Sequence, residues 1–109
     1  AGVLSGKYVD GARPNGSRWS ITKQNQLFRD TQTTNDAVKQ YVEVAKKYAI
    51  TPSQLALAWC DQIDGVTSTI IGATTLAQLD ENIKAFDLML TDEMITDVNA
   101  VLKKFPAAF

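Results

Sequence analysis

Apolar residues recur at steps of three and four through the middle of the chain, the pattern of helices with one buried face. The first such stretch runs from Asn35 to Ala49, and either its first residue or Thr34 is the expected N-cap. A second runs from Pro52 to Ile63, where Thr51 and Gln54 have the spacing of a capping box. We therefore expect two consecutive helices in this part of the chain.

Two further helices are predicted nearer the end of the chain. One starts after Gly72, where Thr75 and Gln78 again have capping-box spacing. The other starts after a cap at Thr91 and ends near Lys104. Both carry an apolar stripe, formed in the first by Leu76, Leu79, Ile83 and Phe86 and in the second by Met94, Ile95, Val98 and Leu102.

One strand is predicted, from Thr67 to Ile71. This run is rich in β-branched side chains, which favour an extended backbone, and it stops at Gly72. We expect a short buried strand that ends in a turn. One clear strand beside four helices predicts a mostly helical α/β chain.

The segment from Val9 to Gln32 is polar and rich in turn-forming residues such as Pro14 and Gly16. We expect a long surface loop that carries Arg18 and Trp19. Loops of this length in compact domains are usually functional or disordered.

Composition narrows the class of protein. The chain has 109 residues, 45% of them hydrophobic, and a net charge of −1, as expected for one small globular domain. There is no basic patch for nucleic acid and no apolar run near the roughly 18 residues of a membrane span, so we expect a soluble, cytoplasmic chain. Cys60 is the only cysteine and histidine is absent, so a metal site is not expected.

The junction between strand, Gly72 and the next helix is suited to binding an anion. Free backbone N–H groups and the positive end of the helix dipole meet there. One turn further on, Glu81 offers an acceptor and Asn82 a carboxamide that could pair with an adenine edge. A strand followed by a capped helix is also ordinary α/β architecture, so a purely structural role is the competing interpretation.

The opening segment, AGVLSGKY, combines two glycines with Lys7. Gly2 and Gly6 allow a close approach of backbone to ligand. The segment is not a P-loop, because Tyr8 rather than Ser or Thr follows the lysine. The alternative is a loop with a solvated lysine.

Three segments of the sequence resemble successive segments of the aldo-keto reductase family, in the same order: AGVLSGKY, TPSQLALAWC and IIGATTLAQLDENIKA. The resemblance implies a C-terminal fragment of a (β/α)8 TIM barrel, with residues 1–34 as a cofactor loop and residues 35–109 as helices, the last strand and the closing helices. It is greatest to the branch that contains the shaker-channel β subunits and Tas-like proteins. The chain also opens without a methionine, which favours a fragment of a larger protein.

In that family NADPH transfers a hydride to a small carbonyl substrate, an aldehyde or a ketone. The resemblance implies that Gly2 and Lys7 lie along the cofactor pyrophosphate and that Arg18 approaches the 2′-phosphate. It assigns the 2′-phosphate and the adenine to five residues: Gly72, Thr74, Gln78, Glu81 and Asn82. The catalytic Tyr, Lys, Asp and His of the family come from earlier strands, so this chain carries no catalytic residue and is expected to be inactive alone.

Two positions depart from the pattern of many family members. Ala73 and Gln78 stand where those members have a Lys and an Arg that pair with the 2′-phosphate. The preference for NADPH over NADH then depends on Thr74, the helix N-terminus and Arg18.

Two other functions are compatible with the sequence. The chain or its parent could bind a nicotinamide nucleotide and regulate a partner without turnover. Alternatively, it could be a helical interaction domain that self-associates to cover its unpaired strand. The substrate and the oligomeric state are not readable from these residues.

Overall fold

The structure is a computed structural model that describes residues 2–22 and 29–106. Its first part consists of two short 3₁₀ turns, Val3–Ser5 and Val9–Gly11. The α-helices that follow in the described residues are α1 (Arg18–Ile21), α2 (Gln32–Lys47), α3 (Pro52–Gln62), α4 (Leu76–Ala85) and α5 (Asp92–Lys104).

The four longer helices lie where their sequence patterns predict them, and three have the predicted caps. Thr51 and Gln54 form the complete capping box of α3. The cap of α2 was wrongly predicted, because Thr31 accepts the N–H of Thr34 and the helix starts three residues early. Asn35 is inside the helix, where its Oδ1 accepts the backbone N–H of Asp10 at 2.9 Å. A contact to a distant loop therefore replaces the expected capping role.

The main core is formed where α2, α3 and α5 meet. Its buried members are Ala45, Leu55, Ala58, Leu90 and Val98. Two of them are alanines on α2 and α3, and small side chains let helices pack closely. These three helices are the rigid base on which α4 and the N-terminal turns pack.

A second, smaller core fixes the N-terminal turns to α2. Tyr8 stacks on Trp19 with ring centroids 4.3 Å apart, and Val3 and Val38 complete the buried group. Trp19 thus belongs to a buried cluster, although its surroundings were predicted as a surface loop. Residues 23–28 of that predicted loop lie outside the described residues.

The side chain of Gln62 joins the end of α3 to the segment before α5. Its Nε2 donates to the Leu88 carbonyl at 2.6 Å, and its Oε1 accepts the Leu90 N–H at 2.9 Å. Both backbone groups are partly buried, so the carboxamide satisfies groups that would otherwise lack partners.

The predicted strand at Thr67 to Ile71 is wrong. Residues 66–73 have no regular secondary structure, and no strand occurs in 2–22 or 29–106. Ile70 is 97% exposed, so the run is not buried either. A strand requires a neighbour that accepts and donates its backbone hydrogen bonds, and the described residues supply none.

The predicted apolar stripe of α4 forms as a helical face but is not buried. Leu76 is 85% exposed and Ile83 is 55% exposed. The buried residues of α4, which packs against α3, are Asn82 and Ala85. The face next to the 66–73 segment thus has no partner among the described residues.

No helix in the described ranges is both long enough and apolar enough to cross a membrane.

Candidate nucleotide-binding site

The polar groups of residues 72–82 lie in the loop before α4 and in the first two turns of this helix. Thr75 caps the helix by accepting the N–H of Gln78 at 3.2 Å. The side chain of Gln78 then turns back, and its Oε1 accepts both the N–H and the hydroxyl of Thr74, at 2.9 and 3.0 Å. Two donors of the predicted phosphate site therefore point to one spot that is exposed to solvent.

Asn82 closes the other side of this loop. Its Nδ2 donates to the Gly72 carbonyl at 3.2 Å, and its side chain is largely buried, with 9% of the residue exposed. A Cβ built on Gly72 would meet no atom within 4 Å, so open space lies beside that residue. The loop is held in shape and leaves room for a ligand.

Glu81 is held by a residue of another helix. Its Oε1 accepts the hydroxyl of Thr51, the cap of α3, at 2.6 Å. The local sequence pattern predicts Thr51 only as a cap. The Thr-Pro pair marks the start of a helix, but no local pattern could reveal a contact 30 residues away.

Gly2 and Lys7 lie together on either side of the first 3₁₀ turn. Gly2 has φ +76°, which favours glycine, and its carbonyl accepts the N–H and hydroxyl of Ser5. A Cβ on Gly2 would lie 2.8 Å from Cε and Nζ of Lys7, so the lysine side chain runs directly over this backbone. The ammonium is also 5.2 Å from the ring centroid of Tyr8. A loop with a cation against its backbone suits an anionic ligand.

Arg18 is the first residue of α1 and is exposed. Its neighbour Trp19 anchors α1 in the second core, and Arg13 lies over the Trp19 ring at 5.0 Å. This anchoring fixes the backbone of Arg18 while its guanidinium extends into solvent.

The structure brings together five of the eight predicted cofactor residues, those from Gly72 to Asn82. Gly2 and Lys7 form a separate group beside the first 3₁₀ turn, and Arg18 lies on α1. The first turn packs against α2 and α3, and α4 packs against α3, so both groups share α3 as a neighbour. Within the described residues, no hydrogen bond or ion pair joins the two groups.

The part of the chain that the structure describes also contains two cavities, one of them lined by Val3, Tyr8 and Trp19, the residues that follow Gly2, Lys7 and Arg18 in the chain. One of about 260 Å³ is lined by Tyr8, Trp19 and polar residues around the start of α2. The other, of about 210 Å³, is an apolar groove between α2, α3 and α5 that includes Tyr41 and Cys60. Burial raises the pKa of Tyr41. Neither cavity includes a predicted cofactor residue, and the described residues contain no group of three or more potential metal ligands.

Comparison with known proteins identifies the family. Residues 1–103 match the family model described as "Aldo/keto reductase family". The chain is 37% identical to "Protein tas" of Escherichia coli over 92% of its length, covering 29% of that relative. It is 34% identical to "Probable voltage-gated potassium channel subunit beta" of Oryza sativa, and 33% identical to the protein of the same name from Arabidopsis thaliana. Each comparison covers 97% of the chain and 34% of the relative.

The chain thus spans about a third of the length of these relatives. It matches the family model from the first 3₁₀ turn almost to the end of α5. The chain belongs to the aldo/keto reductase family.

Proposed function

We propose that this chain is the C-terminal, cofactor-binding portion of an NADPH-dependent aldo-keto reductase that reduces aldehydes or ketones by hydride transfer. The observation that carries the proposal is the cluster at the start of α4, where Thr74, Gln78 and Asn82 surround the loop that follows Gly72. Membership of the family supports the oxidoreductase class.

The donors at the start of α4 fit the 2′-phosphate of NADPH. Thr74 offers its N–H and hydroxyl, and the dipole of a ten-residue helix favours negative charge at the same end. The Gln78 carboxamide can rotate to present its N–H₂ group to the phosphate once its oxygen releases Thr74. Gln78 and Ala73 bring no charge, so Arg18 is the proposed cation for this phosphate.

The adenine and pyrophosphate ends have separate partners in the proposal. Glu81 and Asn82 receive the adenine edge through an acceptor carboxylate and a carboxamide. Gly2 and Lys7 lie along the pyrophosphate, with the lysine already folded over the glycine backbone. When bound, the nicotinamide supplies the hydride, and this chain's residues hold the other end of the molecule.

The experiment is a fluorescence titration of the chain with NADPH and with NADH, following Trp19 and Trp59. We expect saturable NADPH binding that Asn82→Ala weakens about tenfold, because the loop loses its tie to Gly72 as well as an adenine contact. Asn99→Ala is the matched control, since Asn99 is exposed on α5. Equal binding by both variants would contradict the proposed site.

A regulatory function is the second candidate, favoured by the relatives that are named as potassium channel β subunits. In this case the nucleotide site binds the cofactor and thereby regulates a partner without turnover. The two functions are distinguished by incubating the proposed parent reductase, of which this chain is a portion, with NADPH and a panel of aldehydes and ketones. Oxidation of NADPH by any carbonyl supports the reductase, and binding without oxidation supports the regulator.

A further inference from the structure

The Thr51 hydroxyl makes two hydrogen bonds that serve different helices. Its oxygen accepts the Gln54 N–H at 3.1 Å and thereby caps α3. It also donates to Oε1 of Glu81, on α4, at 2.6 Å. A hydroxyl carries a single proton, so the capping bond leaves that proton for the carboxylate.

This contact fixes one oxygen of a flexible side chain. An ionised Glu only accepts hydrogen bonds and has two oxygens. Within the described residues, the second oxygen of Glu81 takes part in no hydrogen bond or ion pair. Glu81 therefore presents one acceptor in a position that the start of α3 determines.

The neighbouring Asn82 is fixed as well, by its bond to the Gly72 carbonyl. Two adjacent side chains of α4 are thus each held by one polar contact, with an oxygen of each still able to accept. Two acceptors favour a ligand that donates hydrogen bonds, and an exocyclic amino group on an aromatic ring is such a donor.

We propose that Thr51 is a positioning residue for adenine recognition, holding Glu81 so that its second oxygen accepts from the adenine 6-amino group. The inference rests on the proposed nucleotide site and adds to it a residue on another helix. Thr51 does not touch the base. It acts by ordering Glu81 before binding, which reduces the conformational entropy lost when the ligand binds.

The test compares the affinity of the protein for NADPH and for its hypoxanthine analogue, which has a 6-oxo group instead of the amino group. Thr51→Ser keeps the cap and the donor. Thr51→Asp and Thr51→Gly both keep a competent N-cap but lose the donor, one adding a charge and one adding none. We expect the wild type and Thr51→Ser to prefer adenine by about tenfold, and Thr51→Asp and Thr51→Gly to retain about a twofold preference.

The ratio of the two affinities distinguishes a positioning role from a structural one. A loosened α3 would weaken the binding of both dinucleotides equally and leave the ratio unchanged. Thr51→Gly should have no further effect on the ratio in a Glu81→Ala background, as expected if Thr51 acts through that residue. An unchanged preference in both Thr51→Asp and Thr51→Gly overturns the inference while leaving the nucleotide site intact. A wild type that binds both dinucleotides equally also overturns it, and a wild type that binds neither rejects the proposed function itself.

Discussion

Gly6 shows how one residue couples backbone conformation to packing. Its φ is +78°, and a Cβ there would lie 2.9 Å from Cγ2 of Val42 on α2. Gly11 has the same φ of +78° but no atom within 4 Å of such a Cβ. The two glycines therefore share the left-handed conformation and differ in surroundings.

We predict that Gly6→Ala lowers the free energy of unfolding by more than Gly11→Ala does. Gly11→Ala incurs only the left-handed conformation, about 1 kcal/mol. Gly6→Ala adds the contact with Val42 and should lose about 2 to 3 kcal/mol in all. Urea unfolding of the two variants measures the difference, and equal losses would show that Val42 moves aside freely.

Gln62 stabilises the segment before α5 through its side-chain hydrogen bonds to Leu88 and Leu90. Gln62→Met removes the partners of Leu88 and Leu90 while preserving length and helix propensity. We predict a loss of about 1 to 3 kcal/mol, the cost of leaving partly buried backbone groups unpaired. Gln32→Met is the matched control, because within residues 2–22 and 29–106 the Gln32 side chain bonds only to Asp36, at the surface. Thermal unfolding compares the two variants. A loss no larger than that of the control would mean that water replaces Gln62.

At the scale of elements, the contact between α2 and α5 includes a charged group. Lys47 Nζ lies 2.8 Å from Asp97 and 2.9 Å from Glu93, and the Tyr48 hydroxyl donates to Asp97 at 2.7 Å. Lys47, and after it Tyr48, lower the pKa of the Asp97 carboxyl. The hydrogen bonds that Lys47 donates, first to Asp97 and then to Glu93, raise the pKa of Lys47.

The sign of this shift gives a pH dependence. Because the pKa of Asp97 is lower in the folded chain, its ionised carboxylate stabilises the fold at pH values above the unfolded pKa of about 3.9. This stabilisation is lost as the pH falls through the folded pKa. We predict that Asp97→Asn is less stable than the wild type near neutral pH and that the gap closes below about pH 4. Urea midpoints across this range measure the gap. Glu43→Gln is the control, since Glu43 and Lys46 form an exposed pair inside α2 and such pairs contribute little.

The elements differ in how far the sequence predicts them. The helices were predictable because periodicity and caps such as Thr51 and Thr75 are local signals. The strand predicted at 67–71 is absent, because β-branched residues only favour an extended backbone and a strand also needs hydrogen bonds from a neighbouring segment. The cap of α2 was misplaced for a similar reason, since Asn35 bonds to distant Asp10.

The candidate site follows the same division. Residues Gly72 to Asn82 are close in sequence, so their cluster around the start of α4 follows from one turn and one helix. The contact from Thr51 to Glu81 depends on how two helices that are 30 residues apart in sequence pack together. Local patterns carry no information about such contacts.

At the scale of the whole molecule, the buried core that stabilises the fold and the exposed apolar face of α4 lie in different parts of the chain. The core of α2, α3 and α5 buries Leu55 to 3% exposure, whereas Leu76 at the start of α4 is 85% exposed. The chain belongs to the aldo/keto reductase family and spans about a third of the length of the relatives that it matches. The exposed face of α4 and the 66–73 segment are among the apolar parts that the described residues leave uncovered.

We predict that the same substitution lowers stability strongly at Leu55 and hardly at all at Leu76. Leu55→Ala should lower the free energy of unfolding by about 2 to 5 kcal/mol, because it opens a cavity in the core. Leu76→Ala should change it by less than about 0.5 kcal/mol, because the side chain already contacts water. Circular dichroism during urea unfolding measures both. A large loss from Leu76→Ala would show that a partner, including a second copy of the chain, covers this face.

The bonds from Gln62 to Leu88 and Leu90 have a further consequence for local opening. They bring the two ends of residues 63–87 together, so this segment leaves the core and returns to it at one place. The segment contains α4, whose buried residues are Asn82 and Ala85, and it can exchange its amide hydrogens by opening as a unit while α2, α3 and α5 stay folded. A nucleotide bound at the start of α4 would then slow hydrogen exchange across this segment and leave the rates of the core unchanged.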